Sequence, residues 1–447
     1  EGGEHIRCST KRYEMMWNII ENKYINIFNT SSCFEFLRLF CEDIVLKNIR
    51  FILKNWKIRI TINDNENKFG YNFTVIERTI FDQIKAEFFK RNVILLFGTR
   101  RVGKTTLLEQ VIKYYELQGK SYKYLNCDTV KARQDLNTLD DQELGDLVKG
   151  IDILAVDEAQ NIETIGKTFK IIYDTFPHVQ VIATGSSSFD LANKTGEPLV
   201  GRMRSFLLYP FSIGELRNFV GTRDINFNIK KYLKYGLYPS IYGLSEGAAI
   251  TELDTFVGGY LYKDLFTFDG VRNSEQILTL LQLLALQVGA EVSYFELANS
   301  LRMSVNTVQK YIHYLEQCYV IFKLPAFSRN MRNEISGNRT RKIYFYDIGI
   351  RNALIGDYRD IELRPDAGGI WENFCIVELK KKAQREGRRP RYYFWRTKDK
   401  KEIDLLEEEN GEYTLYEFKL SANKKAKIPK GFAENYNVKS FNVVNRE

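Results

Sequence analysis

Histidine and cysteine are scarce in this chain of 447 residues, which holds 3 His and 6 Cys. The cysteines (Cys8, Cys33, Cys41, Cys127, Cys318, Cys375) form no CxxC pair, and only His5, His178 and His313 could join them as ligands. That spacing excludes a zinc site or a disulfide framework as the organising feature and predicts a reduced, cytoplasmic protein. Long apolar runs are also missing. The longest, Ile277 to Val288, is interrupted by Thr279, Gln282 and Gln287, well short of the roughly 20 residues of a membrane helix. It predicts a buried helix and no membrane span. No basic-then-apolar leader opens the chain, which argues against secretion; the opening at Glu1 rather than at a methionine is consistent with a fragment or a displaced start. There is no internal repeat and no low-complexity tract.

What is present is ordinary globular material, 44% hydrophobic and 27% charged, in a length that suits about three domains. The 65 basic against 57 acidic residues give a net charge of +8, an excess that permits contact with an acidic polymer without requiring it. Residues 1–72 carry apolar runs (Phe34 to Phe40, Ile49 to Leu53) but no motif, and the polar run Asn63 to Lys68 reads as a linker. From there short apolar segments alternate with amphipathic helical spacing: Val93 to Phe97, Tyr122 to Leu125, Ile151 to Val156 and Val179 to Ala183 are the expected strands. This is the pattern of a parallel sheet covered on both faces.

The first of these strands runs into Gly98-Thr-Arg-Arg-Val-Gly103-Lys104-Thr105, a GxxxxGK[ST] match followed by a helix with Leu107, Leu108, Val111, Ile112 and Tyr115 on one face. A strand before and a helix after are the context this loop needs. Glycines let backbone N–H groups converge on phosphates at a helix N-terminus, so Gly98, Gly103, Lys104, Thr105 and Thr106 are the expected nucleotide-binding residues. Lys104 would meet the β and γ phosphates and Thr105 a magnesium ion. The apolar strand ending at Val156 runs into Asp157-Glu158, 53 residues after Lys104. Asp157 is the expected magnesium partner, and Glu158 the expected base for the attacking water. Thr184, in Thr184-Gly-Ser-Ser-Ser188, either faces the γ phosphate or belongs to a helix cap. Arg202 and Arg204 either neutralise transition-state charge, in the same or a neighbouring subunit, or are surface arginines. Asn193-Lys194-Thr195-Gly196 lacks the aspartate of a guanine-specific element, which favours ATP.

GTRRVGKTTLL, DILAVDEAQNI, VIATGSSSFDL, GRMRSFLLYPFSIGEL, GLYPSIY, RKIYFYDIGIRNALIG and GGIWENFCIVEL occur in this order. Together they resemble prokaryotic AAA-type P-loop ATPases that carry a C-terminal domain of unknown function. The resemblance runs from about Phe73 to near the C-terminus. It implies an α/β protein: an AAA-type parallel-sheet core, a helical and winged-helix middle, and a small domain similar to PD-(D/E)xK restriction endonucleases. The expected boundaries are 73–210 for the ATPase core, 211–290 for a helical lid or linker, 291–346 for the winged-helix module and 347–447 for the nuclease-like domain.

Two later segments carry chemistry of their own. Glu296 to Leu301, then Met303 to Val308 and Tyr311 to Leu315, have the apolar spacing of two packed helices with a tight turn, leaving Asn306, Thr307, Gln309 and Lys310 outward. Such a pair either enters a DNA major groove, with Arg329, Arg332, Arg339, Arg341 and Lys342 on phosphates, or serves as interdomain packing. Near the end, Glu402-Ile-Asp404-Leu-Leu and Tyr416-Glu417-Phe418-Lys419 flank Asn410-Gly411, a hairpin signal in which opposite residue numbers sum to 821. Asp404 would face Glu417 and Glu402 would face Lys419, with Ile403, Leu405, Tyr416 and Phe418 on the other side. Asp404 and Glu417 are the expected magnesium ligands of a nuclease site, with Glu372 and Lys419 as further members, unless the domain is an inactive scaffold.

The expected partners are therefore ATP, Mg2+, DNA, and a second copy or a protein partner. The competing expectation is a regulatory or signalling ATPase switch for a protein partner. A small-molecule kinase is disfavoured by Glu158 and by the long C-terminal extension.

Overall fold

The computed structural model describes residues 58–63, 68–73, 76–185, 198–260, 274–328, 341–397, 401–421 and 426–446. The chain divides into two compact units, residues 1–75 and 76–447. In the first, strands β1 (Ile58–Asn63) and β2 (Lys68–Phe73) pair antiparallel, with Asn63 opposite Lys68. The two ends of the polar run Asn63 to Lys68, expected as a linker, are thus ladder partners; residues 64–67 between them lie outside the described residues.

The second unit opens with helix α1 (Ile80–Glu87) and strand β3 (Val93–Phe97), then helix α2 (Lys104–Glu116) and strands β4 (Tyr122–Asn126), β5 (Ile153–Asp157), β6 (Gln180–Gly185) and β7 (Met203–Leu207). These strands form one parallel sheet in the order β4-β5-β6-β3-β7. All residues of β3, β5 and β6 are buried, as strands covered on both faces must be. Leu107, Leu108, Val111 and Ile112 of α2 pack on one face, and Leu144, Ile165, Phe169 and Ile172 on the other.

Helices α3 (Ile213–Val220), α4 (Thr222–Tyr235), α5 (Glu246–Thr255) and α6 (Ser274–Leu286) follow. The apolar stretch from Ile277 lies in α6, with Ile277, Leu280, Leu281 and Leu284 fully buried. Among the described residues no helix is long and apolar enough to cross a membrane. Next come β8 (Glu291–Val292), α7 (Tyr294–Leu301), α8 (Val305–Gln317), β9 (Ile321–Pro325) and β10 (Arg341–Phe345), with the strands in the order β8-β10-β9. Ser293 and Ser304 cap α7 and α8 by accepting from Glu296 N and Thr307 N. Arg302, in the left-handed region at φ 51°, turns the chain between them.

Helix α9 (Ile348–Ile355) packs on α4 and α6. Helix α10 (Ala367–Arg385) then lies on a four-stranded sheet of β11 (Arg391–Arg396), β12 (Glu402–Glu409), β13 (Glu412–Lys419) and β14 (Val438–Asn445), in chain order and with β14 parallel to β13. The β12–β13 hairpin has the expected register: Leu405 faces Tyr416 and Glu409 faces Glu412, around Asn410 (φ 54°) and Gly411 (φ 80°). Positive φ at both turn residues is what the Asn-Gly pair favours.

Two glycines of the quoted motifs work as close-packing sites. A Cβ on Gly236 would overlap the Asp347 carboxylate, and one on Gly349 would overlap the Tyr235 carbonyl. Asp347 sits between them: its Oδ1 accepts from Gly349 N and Ile350 N and its Oδ2 from Leu237 N, at 2.8, 3.2 and 2.8 Å. GLYP and YDIGI are therefore two halves of one joint between α4 and α9. Gly349→Ala is expected to destabilise the second unit by on the order of 3 kcal/mol, because the new methyl meets backbone rather than a movable side chain. Equilibrium urea unfolding should show it, and a wild-type midpoint would refute this account of the joint.

Candidate functional site

Parallel strands place their C-terminal ends on one edge, and that edge holds the candidate residues. Gly98 follows β3, Asp157 ends β5, and Thr184 lies at the end of β6, the strand between them. A Cβ on Gly98 would lie 2.6 Å from the Leu208 carbonyl, so only glycine lets the loop leave the sheet here. Gly103, at φ 95°, turns the chain into α2, whose first residue is Lys104. Lys104 is buried, and its Nζ donates to the carbonyls of Gly98 (2.9 Å) and Thr99 (3.0 Å). The ammonium thus lies within the curve of its own loop.

Thr105 Oγ1 donates to Asp157 Oδ2 at 2.8 Å, Tyr124 OH donates to the same oxygen at 3.1 Å, and Thr184 Oγ1 donates to Asp157 Oδ1. Thr184 Oγ1 also accepts from Glu158 N at 3.0 Å. Burial and the neighbouring Asp157 push the Tyr124 phenol well above its ordinary value, which keeps it a donor. Glu158 adopts a left-handed conformation, φ 53° and ψ 42°, and its Oε2 accepts from Gln160 Nε2. A non-glycine residue in that region is sparsely populated and occurs where the surroundings fix it. Thr106 is exposed on the first turn of α2.

The fold therefore brings Lys104, Thr105, Asp157, Glu158 and Thr184 together, and adds three residues that the sequence reading missed. Tyr124 lies on β4, beside β5. Tyr238, in the GLYP segment, donates to Thr99 Oγ1 at 2.7 Å. Arg78, from the turn before α1, donates to Val102 O at 3.1 Å and to Tyr209 O, and pairs with Glu215 at 3.2 Å. Only the quoted GLYPSIY motif could have signalled Tyr238, and nothing local signalled Arg78.

For the same-subunit role, Arg202 and Arg204 need correction. Met203 is opposite Val93 and Leu207 opposite Phe97 in the parallel pairing, so Arg202 stands at the opposite end of the sheet from the loop, about 13 Å away at strand rise. Arg202 pairs with Asp174 and Arg204 with Glu87. Neither reaches the loop of its own chain. Ser186 to Ser188 and Asn193 to Gly196 lie outside the described residues.

A second group of charges gathers where α10 meets β10, β12 and β13. Glu372 of α10 accepts from Lys342 Nζ (2.9 Å) and from Tyr344 OH. Lys342 also pairs with Glu402 at 2.7 Å, and Lys419 with Glu417 at 2.6 Å. Asp404 Oδ2 accepts from Phe418 N at 2.8 Å. Burial, with Glu372 and Glu417 nearby, pushes Asp404 up to about 7, while Glu372 is raised by burial against the pull of Lys342. Among the described residues no set of three or more His, Cys, Asp or Glu is arranged to hold a metal.

Two expectations for this hairpin fail. Glu402 meets Lys342 and, as its ladder neighbour, Arg396, not Lys419. The cause is a bulge: Tyr393 faces Leu406 but Trp395 faces Ile403, so β12 carries one extra residue at Asp404-Leu405 and its ladder with β13 stops at Leu405. Ile403 consequently joins Leu406, Leu415 and Phe432, whereas Leu405 and Phe418 pack with Trp371 and Phe374.

The basic cluster expected on DNA phosphates also fails at the positions in view. Lys342 is buried at 2% exposure between two carboxylates. Arg341 donates to Tyr294 OH at 3.1 Å and covers that ring. Arg329, Arg332 and Arg339 lie outside the described residues. Asn306, Gln309 and Lys310 of α8 are exposed, and Thr307 is half-buried.

Residues 90–217 match the family model of an AAA domain. Residues 226–360 and 367–446 match two domains of unknown function, DUF8612 and DUF4143. The chain thus carries an AAA-type P-loop ATPase domain on a parallel α/β sheet, followed by two further domains. It is 28% identical over 336 residues to an uncharacterized protein of Mycobacterium tuberculosis, covering 73% of this chain and 70% of that one. To an uncharacterized protein of Methanocaldococcus jannaschii it is 27% identical over 329 residues, covering 65% and 67%. Among solved structures it is similar to AMPPCP-bound DnaA from Aquifex aeolicus, with 18% identity, 55% and 90% of the two chains covered and a TM-score of 0.27. Drosophila ORC bound to GC-rich DNA and Cdc6 gives 10% identity, 62% and 90% coverage and a TM-score of 0.24.

If Lys104 carries the phosphate contact, Lys104→Ala should reduce nucleotide turnover by about a hundredfold or more. Glu158→Gln should keep nucleotide bound but uncleaved, since the amide preserves shape and the Gln160 contact while losing the base. Filter-binding and phosphate-release assays separate the two, and unchanged release from either variant would reject the corresponding role.

Proposed function

We propose that the chain hydrolyses ATP and that nucleotide state is transmitted to a winged-helix segment and a nuclease-like C-terminal domain acting on DNA. The observation that carries the ATPase reading is the convergence of Thr105, Tyr124 and Thr184 on Asp157 beside Lys104. The residues suit the group. Backbone N–H groups at the α2 N-terminus and Lys104 offer a cradle for phosphates, and Thr105 with Asp157 offers the oxygens that magnesium prefers. Bound there, magnesium supplies charge neutralisation on the phosphate oxygens. Glu158 would accept the proton of water from the position where Gln160 holds it, and Thr184 would fix Asp157 and the Glu158 backbone.

The helix α6, β8, α7, α8, β9, β10 order, with β8 and β9 flanking β10, supports a winged-helix reading in which α8 presents Asn306, Gln309 and Lys310. The nuclease reading rests on Glu372, Asp404, Glu417 and Lys419, gathered on one helix and two strands. A carboxyl raised to about 7 beside two further acids is short of positive charge, and a divalent cation would supply it. The regulatory switch with an inactive scaffold is favoured by a different observation: Lys342 and Lys419 already pair with Glu372 and Glu417.

ATP turnover with and without DNA, with the DNA then inspected for magnesium-dependent cleavage, separates the readings. Stimulation with cleavage is expected; turnover indifferent to DNA and no cleavage would leave only the switch. A second expectation concerns pH. Asp404 is raised in the folded state, so it costs stability as pH climbs from its unfolded value of about 4 towards 7, and the cost is constant above that. Asp404→Asn removes it. In EDTA the variant should match wild type near pH 4, melt increasingly higher as pH approaches 7, and keep that gain at pH 8. A pH-independent difference would show that Asp404 is not held protonated.

A further inference from the structure

A groove of about 880 Å3, open to solvent, belongs to neither candidate site. It runs between α3 and α4 on one side and α10 with the ends of β13 and β14 on the other. Its floor is apolar, made of Ile225, Trp371, Phe374, Cys375, Phe418 and Val444. Phe227, 85% exposed, stands on its lip. Its rim is basic: Arg217, Lys230, Lys382, Arg385 and Arg446.

The pairing of these charges is uneven. Lys230 and Arg446 share Glu362, at 3.0 and 2.7 Å. Arg217, Lys382 and Arg385 are exposed and have no acidic partner among the described residues. The acid inside the groove, Glu378, is already engaged, pairing with Lys381 at 2.8 Å and accepting from Ile213 N at 2.8 Å. Gly214 is bare where the Arg385 guanidinium crosses it, since a Cβ there would overlap Arg385. The groove thus joins apolar surface that a monomer has reason to cover with cations that lack counter-charges.

We propose that this groove binds an acidic amphipathic peptide segment of a protein partner, with apolar side chains on the floor and carboxylates on Arg217, Lys382 and Arg385. The cations come from α3, α4, α10 and the end of β14, so a ligand meeting them needs acids at several points along its length. A peptide has them; a small monocarboxylate does not. Nucleic acid fits less well. Successive bases need several open ring faces to stack on, and Phe227 on the lip offers one, whereas Trp371 and Phe374 are 6% and 8% exposed and stack on each other at 6.0 Å, and Trp371 Nε1 donates to Val444 O. Side chains can still anchor beside such rings, as apolar residues do in grooves that take helices.

The test pans a displayed library of random peptides, each about a dozen residues long, against the immobilised full chain. The leading peptide is then synthesised with a fluorophore and titrated by anisotropy. Selected sequences should be net acidic around two or more apolar anchors. Their affinity should fall about tenfold in the combined variant Arg217→Glu, Lys382→Glu, Arg385→Glu, and also fall in Phe227→Ser and with rising salt. ATP turnover, whose residues lie elsewhere, reports that both variants are folded. Neutral or basic selected sequences, or affinity unchanged in the charge variant, overturn the proposal. Tighter binding of labelled oligothymidylate that the same variant abolishes reassigns the groove to nucleic acid. Self-association in sedimentation that the same variant abolishes reassigns it to a second copy of the chain.

Discussion

The nucleotide loop depends on a buried ion pair formed by residues outside it. Arg78 and Glu215 are 7% and 5% exposed, and burial opposes the charge on each, so neither is tolerable without the other. Every nitrogen of the guanidinium also donates. Glu215 accepts from Arg78 Nε, Thr79 N and Ser212 N, closing the capping box of α3, and Arg78 Nη1 and Nη2 donate to the carbonyls of Val102 and Tyr209. Because Val102 precedes Gly103 in the loop, its carbonyl orientation is set by a helix that follows the sheet in sequence. The same helix start continues the chain of contacts: Ile213 N donates to Glu378, Lys381 donates to Phe211 O, and Gln384 donates to Leu207 O at the end of β7. Helix α10 therefore touches the outermost strand of the ATPase sheet through backbone carbonyls, while its opposite end carries Glu372. A change in loop geometry has a continuous polar route to the C-terminal domain.

How much of this was legible follows from the range of each interaction. The phosphate loop and the Asn-Gly hairpin are local: glycine at positive φ and a strand-to-helix switch are written in adjacent residues, and Leu405 opposite Tyr416 follows from the turn alone. The bulge at Asp404-Leu405 is not local, because it answers to β11 on the other side of the strand, and it carried Glu402 away from Lys419 to Lys342. Arg202 was misplaced for a related reason. Sequence proximity to β7 does not tell which end of the strand a residue occupies, and parallel pairing with β3 sets it at the wrong end. Arg78 and Tyr238 were not read as site residues because their contacts with the loop join positions 24 and 139 residues apart in sequence.

Motifs quoted as a family signature acquire separate physical meanings once placed. In GLYP, Gly236 makes room for Asp347 and Tyr238 reaches Thr99, so one short segment fixes both the α4–α9 joint and the entrance of the loop. In IWEN, Asn373 exchanges both of its hydrogen bonds with the Phe345 backbone at 2.8 Å, Trp371 reaches Val444, and Glu372 meets Lys342. Three successive positions thus serve two neighbouring strands, β10 and β14, as a helix lying across a junction requires.

The net charge of +8 looked like a weak invitation to nucleic acid, and its distribution changes that meaning. Arg78, Lys104, Lys342, Arg351, Arg364 and Lys381 are all buried, each against carboxylates or backbone carbonyls. Arg351 is fully buried, with its Nε on Ala285 O and its charge on Asp366, which ties α9 to α6 and to the start of α10. Cations of this kind raise the basic count without contributing to a surface field, because their charge is cancelled within a few ångströms in a medium that screens little. Charge that can act on a partner is charge left unpaired at the surface. By that measure Lys342 of β10 adds nothing to a surface field, whereas Arg217 of α3 and Lys382 and Arg385 of α10 stand exposed around an apolar floor.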